Sequence, residues 1–346
     1  MSVLGLGQRD TNELAIALIA LFLGSTILVV PRTAPLGDSL VYGLALCSPA
    51  AMLAIERANV DIVLFPLLVA AALALRRRWH GSVGAHAAML LAAVLKLFPI
   101  FAVGMLVRRP RREAIAGSAV VVLAFGIYAL ATLSDIREIG RVVPQTDVYS
   151  YGMRTFGVWW SNAVPPFSAR IWDTALFIVA LGVSLGVLLG ARERLASWLP
   201  APEKTREETR DLDLFWAGAS IYVLTFVLFQ SFDYRLIFLV LALPQLLRWA
   251  RDRRPLALAS ICLLILTQWL VTGWSGVPVI GSAVKGWEYV TAFRPLAHYN
   301  SLSLAATSQL MLALALLAGL VATSPLTGSA RARARAAPRT ARRRWR

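Results

Sequence analysis

Apolar runs recur along almost the whole chain, at approximately 14–30, 40–55, 60–75, 82–107, 113–133, 171–190, 212–230, 235–248, 255–273 and 302–322. Their length and their near-absence of internal charge predict membrane helices rather than the amphipathic helices of a soluble core. Basic clusters stand between them. These are Arg76-Arg77-Arg78, Arg108-Arg109-Pro110-Arg111-Arg112, the 192–210 linker, Arg248 to Arg254, and the C-terminal tail. Positively charged flanks are retained on the cytoplasmic side, so each cluster is expected there.

One run conflicts with that rule. Arg76–Arg78 and Arg108–Arg112 flank the single run 82–107, so a single crossing would put one cluster outside. The run contains Lys96-Leu97-Phe98-Pro99. Proline removes a helix hydrogen bond and disfavours helix at the residue before it. The segment is therefore expected to turn back, with Lys96 at the apex. The alternative is one long tilted helix with a snorkelling lysine. With the hairpin, the chain makes eleven crossings, starts outside and ends in the cytoplasm. This predicts an all-α polytopic membrane protein. A single transmembrane domain covers 1–325, and residues 326–346 form a disordered basic cytoplasmic tail.

Composition agrees with this class: 58% of the 346 residues are hydrophobic, and the mean hydropathy is +0.65. The net charge of +16 would point to nucleic acid in a soluble protein. Here eight arginines lie between Arg331 and Arg346, and most others flank apolar runs. Anionic lipid accounts for them, and no nucleic-acid partner is expected. Two cysteines (Cys47, Cys262) inside apolar runs and three dispersed histidines (His80, His86, His298) suggest neither a disulfide framework nor a thiol or imidazole metal site. Outer carboxylates leave a divalent ion possible in principle. The first run lacks a basic leader and a cleavage site, so no signal peptide is expected. The 191–211 stretch reads as a solvated connector.

The topology gathers the unusual polar residues on one face. They are Glu56-Arg57-Ala58-Asn59-Val60-Asp61, Lys96, the 134–170 loop with Arg154 and Tyr151, Ser231-Phe232-Asp233-Tyr234-Arg235, and the 274–300 loop with Trp287 and His298. Charges at a membrane surface are costly unless paired or wetted, which makes them functional candidates. Carboxylates, a lysine and arginines on one outward face describe a cavity for an anionic lipid headgroup, with groups able to deprotonate a hydroxyl.

Several of these pieces resemble glycosyltransferase family 87, the polyprenol-phosphate-mannose-dependent membrane mannosyltransferases of the GT-C superfamily. They are Ser48-Pro49, Glu56-Arg57-Ala58-Asn59-Val60-Asp61, Leu95-Lys96-Leu97-Phe98-Pro99 with its following basic cluster, and Ser231 to Phe238 running into Leu243-Pro244-Gln245. The similarity covers roughly residues 40–250. It implies a GT-C-like helical bundle in a plasma membrane, with the site on the outer face. A sugar, mannose by analogy, would pass from polyprenyl phosphate to a lipid or glycan hydroxyl with inversion, without a resident cofactor. Cations would hold the donor phosphate: Lys96, Arg57, Arg235 and Arg154. Catalytic carboxylates would be sought among Asp61, Asp233 and Glu56. Asn59, Tyr151, Tyr234, Trp287 and His298 would contact the sugar or acceptor. Members of the family have a cytoplasmic N-terminus, a first helix and a long outer loop carrying the base aspartate. This sequence lacks them, so the chain is expected to be N-terminally truncated relative to the family. A flippase or transporter of polyprenyl-linked sugars, or a non-catalytic partner subunit, are the other two classes compatible with these residues.

Overall fold

The computed structural model describes residues 11–31, 34–76, 79–142, 150–153, 155, 206–228, 230–270 and 294–324, with isolated positions between 175 and 190. The C-terminal tail, the 274–293 stretch and most of the 171–190 run lie outside the described residues.

The described residues are helical almost throughout, in keeping with the all-α expectation. Helix α1 (Thr11–Val29) leads to α2 (Leu36–Leu46) and α3 (Pro49–Glu56), then α4 (Asp61–Ala74) and α5 (Trp79–Leu95). A first 3-10 helix (Phe98–Arg108) follows, then α6 (Arg111–Ala131), α7 (Leu133–Val142) and the two-residue strand β1 (Ser150–Tyr151). After α8 (Arg206–Leu228) come strand β2 (Ser231–Phe232), a second 3-10 helix (Asp233–Ala242), α9 (Leu243–Arg251), α10 (Pro255–Trp269) and α11 (Arg294–Thr323).

Among the described residues three helices are long and apolar enough to cross a membrane: Asn12–Val29, Arg111–Ala131 and Glu208–Leu228. The bent pair α2–α3 makes a fourth if it is one span, and five further apolar helices are shorter. These spans mark a membrane protein by length and composition. Its outer faces fit, because α6 exposes Ile115, Val120, Leu123, Ile127 and Leu130, apolar side chains that suit lipid and not water.

Three sequence expectations are corrected. The 40–55 run is not one helix. It bends by 49° at Ser48-Pro49, where Ser48 caps the new helix by accepting the Ala51 N–H at 3.2 Å. The 134–170 loop begins with a helix, α7, whose side chains are all exposed or half-exposed. Residues 206–211 are not solvated linker. They form the first turns of α8, and Asp211 is 1% exposed.

Helix α8 is the axis of the bundle, with the two 3-10 helices packed on it. Close approach depends on missing side chains. A Cβ on Gly218 would meet the Phe238 carbonyl at 2.6 Å, and one on Gly104 would strike Ser220. A ladder of rings continues outward: Phe98 on Phe238 (5.4 Å), Phe238 on Phe65 (6.4 Å), and Phe65 edge-on to Phe22 of α1 (5.0 Å). The 3-10 geometry has a length consequence. Eleven residues from Phe98 to Arg108 reach about 22 Å at ~2.0 Å per residue, where an α-helix would reach about 16 Å.

The Lys96 turn is a hairpin and not a tilted continuation. Lys96 contacts Asp61 at the start of α4, while Arg108, eleven residues past Leu97, contacts Asp213 near the start of α8. Arg76, at the far end of α4, also lies within electrostatic reach of Asp213. The chain thus runs out along α5 and returns along the first 3-10 helix.

Candidate functional site

The turn between α3 and α4 is built by backbone hydrogen bonds. Ala58 N–H donates to Ile55 O at 2.9 Å and Asn59 N–H to Ala54 O at 3.1 Å. That is the pattern of a Schellman helix end, with Ala58 at φ 43° in the position glycine usually takes. The left-handed residue costs an alanine about 1 kcal/mol. The turn delivers Asn59 and Asp61 to the head of α4. Asn59 Oδ1 accepts the Asp61 backbone N–H at 3.2 Å, and the carboxylate sits on the first residue of the helix, where the dipole favours it.

Lys96 arrives from the hairpin. It follows the last residue of α5, the end of a helix that favours a cation. Pro99 stands in the opening turn of the 3-10 helix, where its missing N–H breaks nothing. The ammonium donates to Asp61 Oδ1 at 2.7 Å and to Asn59 Oδ1 at 2.9 Å. It also lies 4.8 Å from the centre of the Tyr234 ring and 5.6 Å from that of Phe98, within cation–π range. Asp61 is fully buried, and Lys96 keeps 19% of its side chain exposed.

The third segment is carried by a strand pair. Strands β1 and β2 are antiparallel, with Ser150 opposite Phe232 and Tyr151 opposite Ser231. Past β2 the chain enters the second 3-10 helix and presents Arg235. Its guanidinium donates to Ser231 Oγ at 3.0 Å and lies 4.6 Å over the other contact of Lys96, the Phe98 ring. Arg235 is within electrostatic reach of both Lys96 and Asp61. Two buried polar atoms in this cluster, Asp61 Oδ2 and Arg235 Nε, have no hydrogen-bond partner among the described residues.

The structure therefore brings together Asn59, Asp61, Lys96, Tyr234 and Arg235. Asp233 lies beside them in sequence and, like Asp61, is wholly buried. Glu56 and Arg57 are exposed at the end of α3. Tyr151 has no surface for a substrate. Its ring stacks on Tyr222 at 5.5 Å, its hydroxyl meets Thr225 Oγ1 at 3.0 Å, and burial pushes its pKa up to about 12. It supports the β-pair and lies within electrostatic reach of Arg235. Arg154 and Trp287 lie outside the described residues. His298 is on α11 in a stretch whose side chains are not described. Phe98 and Ser231 are contacts of these cations that the choice of site residues from sequence left out, because an apolar ring and a serine hydroxyl carry little signal until the cations meet on them.

The opposite end of the bundle holds a second charged cluster. Asp213 takes Arg108 at 2.6 Å and Arg109 at 3.2 Å. Asp211 takes Arg210 at 2.8 Å and Arg248 at 2.6 Å. Arg251 pairs with Asp38. The arginine clusters at 108–109, 210 and 248–251 thus share one end, away from Lys96. The spacing Asp-Leu-Asp at the mouth of an apolar run, amid basic clusters, was the available signal.

Among the described residues no three metal-ligating side chains converge. No family model, no curated protein and no solved structure matches the chain.

Proposed function

We propose that this chain is a membrane glycosyltransferase of about eleven membrane segments, moving a sugar from polyprenyl phosphate to a lipid or glycan hydroxyl. Its site is the Asn59–Asp61–Lys96–Arg235 end of the bundle, facing the outer side, with the arginine end in the cytoplasm. The observation that supports it most is the convergence of two cations, Lys96 and Arg235, on one ring beside a buried carboxylate. The three segments that supply them are the ones that resemble family 87.

The chemistry asked of this site is an inverting displacement. The acceptor oxygen bonds to the anomeric carbon as the carbon–oxygen bond to phosphate breaks. Polyprenyl phosphate departs with the electron pair, and the hydroxyl proton goes to a carboxylate. Lys96 and Arg235 stabilise the charge that develops on the leaving phosphate. Of the three candidate carboxylates, Asp61 and Asp233 are both wholly buried, Asp61 against the Lys96 ammonium. Glu56 is the exposed one and the candidate base.

The test is transfer in reconstituted proteoliposomes containing labelled polyprenyl-phosphate-mannose and mixed lipid acceptors. A labelled glycolipid made by the wild type, and lost in Glu56→Gln and Arg235→Gln, supports the assignment. Movement of the donor between leaflets without product makes the protein a carrier. Neither product nor movement leaves the partner-subunit class.

A further inference from the structure

The two unfilled atoms at this site define a ligand more narrowly than its charge does. Asp61 Oδ1 and Asn59 Oδ1 are occupied by Lys96. Asp61 Oδ2 is a buried carboxylate oxygen with no hydrogen-bond partner among the described residues, and Arg235 Nε is a buried donor in the same condition. An unfilled buried polar atom is expensive, more so when charged. The occupant that fills both carries an anionic oxygen for Arg235 and a hydroxyl proton for Asp61.

We propose that Asp61 is a specificity-determining residue: its Oδ2 accepts a hydroxyl of the sugar while Lys96 and Arg235 hold the phosphate of the same ligand. This rests on the donor assignment above and adds to it, because Asp61 then selects the sugar-bearing lipid over the bare lipid phosphate. Lys96 suits Asp61 to that task. A carboxylate held by an ammonium at 2.7 Å is fixed in orientation, which serves an acceptor of hydrogen bonds better than a proton shuttle. A site that reads a hydroxyl in this way strongly rejects a ligand lacking it.

Binding decides this without reference to turnover. The probes are polyprenyl phosphate and polyprenyl-phosphate-mannose, measured by tryptophan quenching on the full chain in nanodiscs. In the wild type the sugar-bearing lipid should bind about 10- to 100-fold more tightly, the worth of a hydrogen bond to a charged group. Asp61→Asn keeps an oxygen for Lys96 and puts an NH2 where Oδ2 was. It should abolish that preference while leaving polyprenyl phosphate binding equal or tighter. Monodeoxy-mannosyl donors probe the same contact in the unaltered protein, and one of them should lose the same factor.

A preference that survives both Asp61→Asn and every deoxy donor overturns the inference alone. Equal binding of the two lipids by the wild type also overturns it, leaving ordered water as the occupant. If neither lipid binds, the donor assignment falls as well. Mannose 1-phosphate as competitor separates the sources: full competition at equal concentration assigns the site to free sugar phosphates, with the Asp61 contact tested in the same way.

Discussion

Removing the Lys96 ammonium should destabilise the protein, and removing Asp61 with it should restore the loss. In Lys96→Met the side-chain length is kept, but Asp61, fully buried, loses the cation 2.7 Å away, and Asn59 Oδ1 loses a donor. Breaking a buried pair by deleting one partner costs about 3–5 kcal/mol. Lys96 is 19% exposed, so solvent screens part of the interaction and a loss of roughly 2–4 kcal/mol is expected. Replacing both partners by apolar groups of similar shape is often neutral or stabilising. Asp61→Leu with Lys96→Met should therefore return to within about 1 kcal/mol of the wild type. Neither variant should bind polyprenyl phosphate with wild-type affinity. The assay is chemical unfolding followed by tryptophan fluorescence in one fixed detergent, with lipid binding measured on the same preparations. Stability recovered without binding separates a ligand site from a structural clamp. A double variant as unstable as Lys96→Met would refute the assignment of the loss to an unpaired carboxylate. A double variant that binds like the wild type would remove Lys96 from the site.

Three further expectations follow from the packing. Gly218→Ala places a Cβ 2.6 Å from the Phe238 backbone carbonyl, which has no flexible end to move, and should cost about 1–3 kcal/mol in the same unfolding assay. Ala58→Gly removes the left-handed alanine penalty of about 1 kcal/mol and returns part of it as unfolded-chain entropy, so a gain of up to roughly 0.5 kcal/mol is expected. A loss larger than that would mean that the Ala58 methyl packs usefully. Asp213→Asn weakens the hold on Arg108 and Arg109 together; it should lower stability by roughly 2–3 kcal/mol while leaving lipid-phosphate binding at the far end unchanged.

The helical class was legible because apolar runs bounded by arginines leave few alternatives, and the Lys96 hairpin because Pro99 and the flanking charges both favoured it over one tilted helix. Position along the chain also pointed to Asn59, Asp61, Lys96 and Arg235. The missing parts depended on facts a one-dimensional pattern does not hold. Nothing in Phe98-Pro99-Ile100 distinguishes a 3-10 helix from an α-helix, since apolar side chains suit both and packing on α8 decides. Asp211 looked like the end of a solvated linker because the charges before it mix in sign, which is also how a chain looks when both signs are paired across helices. Tyr151 carried the residue type of a sugar contact, but β-pairing to Ser231 turned its ring onto Tyr222.

The two charged ends differ in how completely their carboxylates are satisfied, and that difference separates a lock from a site. At the arginine end all four oxygens of Asp211 and Asp213 receive a guanidinium. A saturated carboxylate offers nothing to a ligand, and its arginines come from three separate elements, the first 3-10 helix, α8 and α9, which it ties together. At the lysine end Asp61 uses one oxygen and keeps the other buried without a partner among the described residues. If both ends were structural, charge-neutral replacement of Asp213 and of Asp61 should each cost stability and nothing else. If the lysine end is a site, Asp61→Asn should change which lipid binds at modest cost in stability, because the amide oxygen still serves Lys96. The decisive comparison is therefore of two aspartate-to-asparagine variants in one protein, each read for unfolding and for lipid preference. A shift in preference from Asp213→Asn, or none from Asp61→Asn, would reverse the assignment of the two ends.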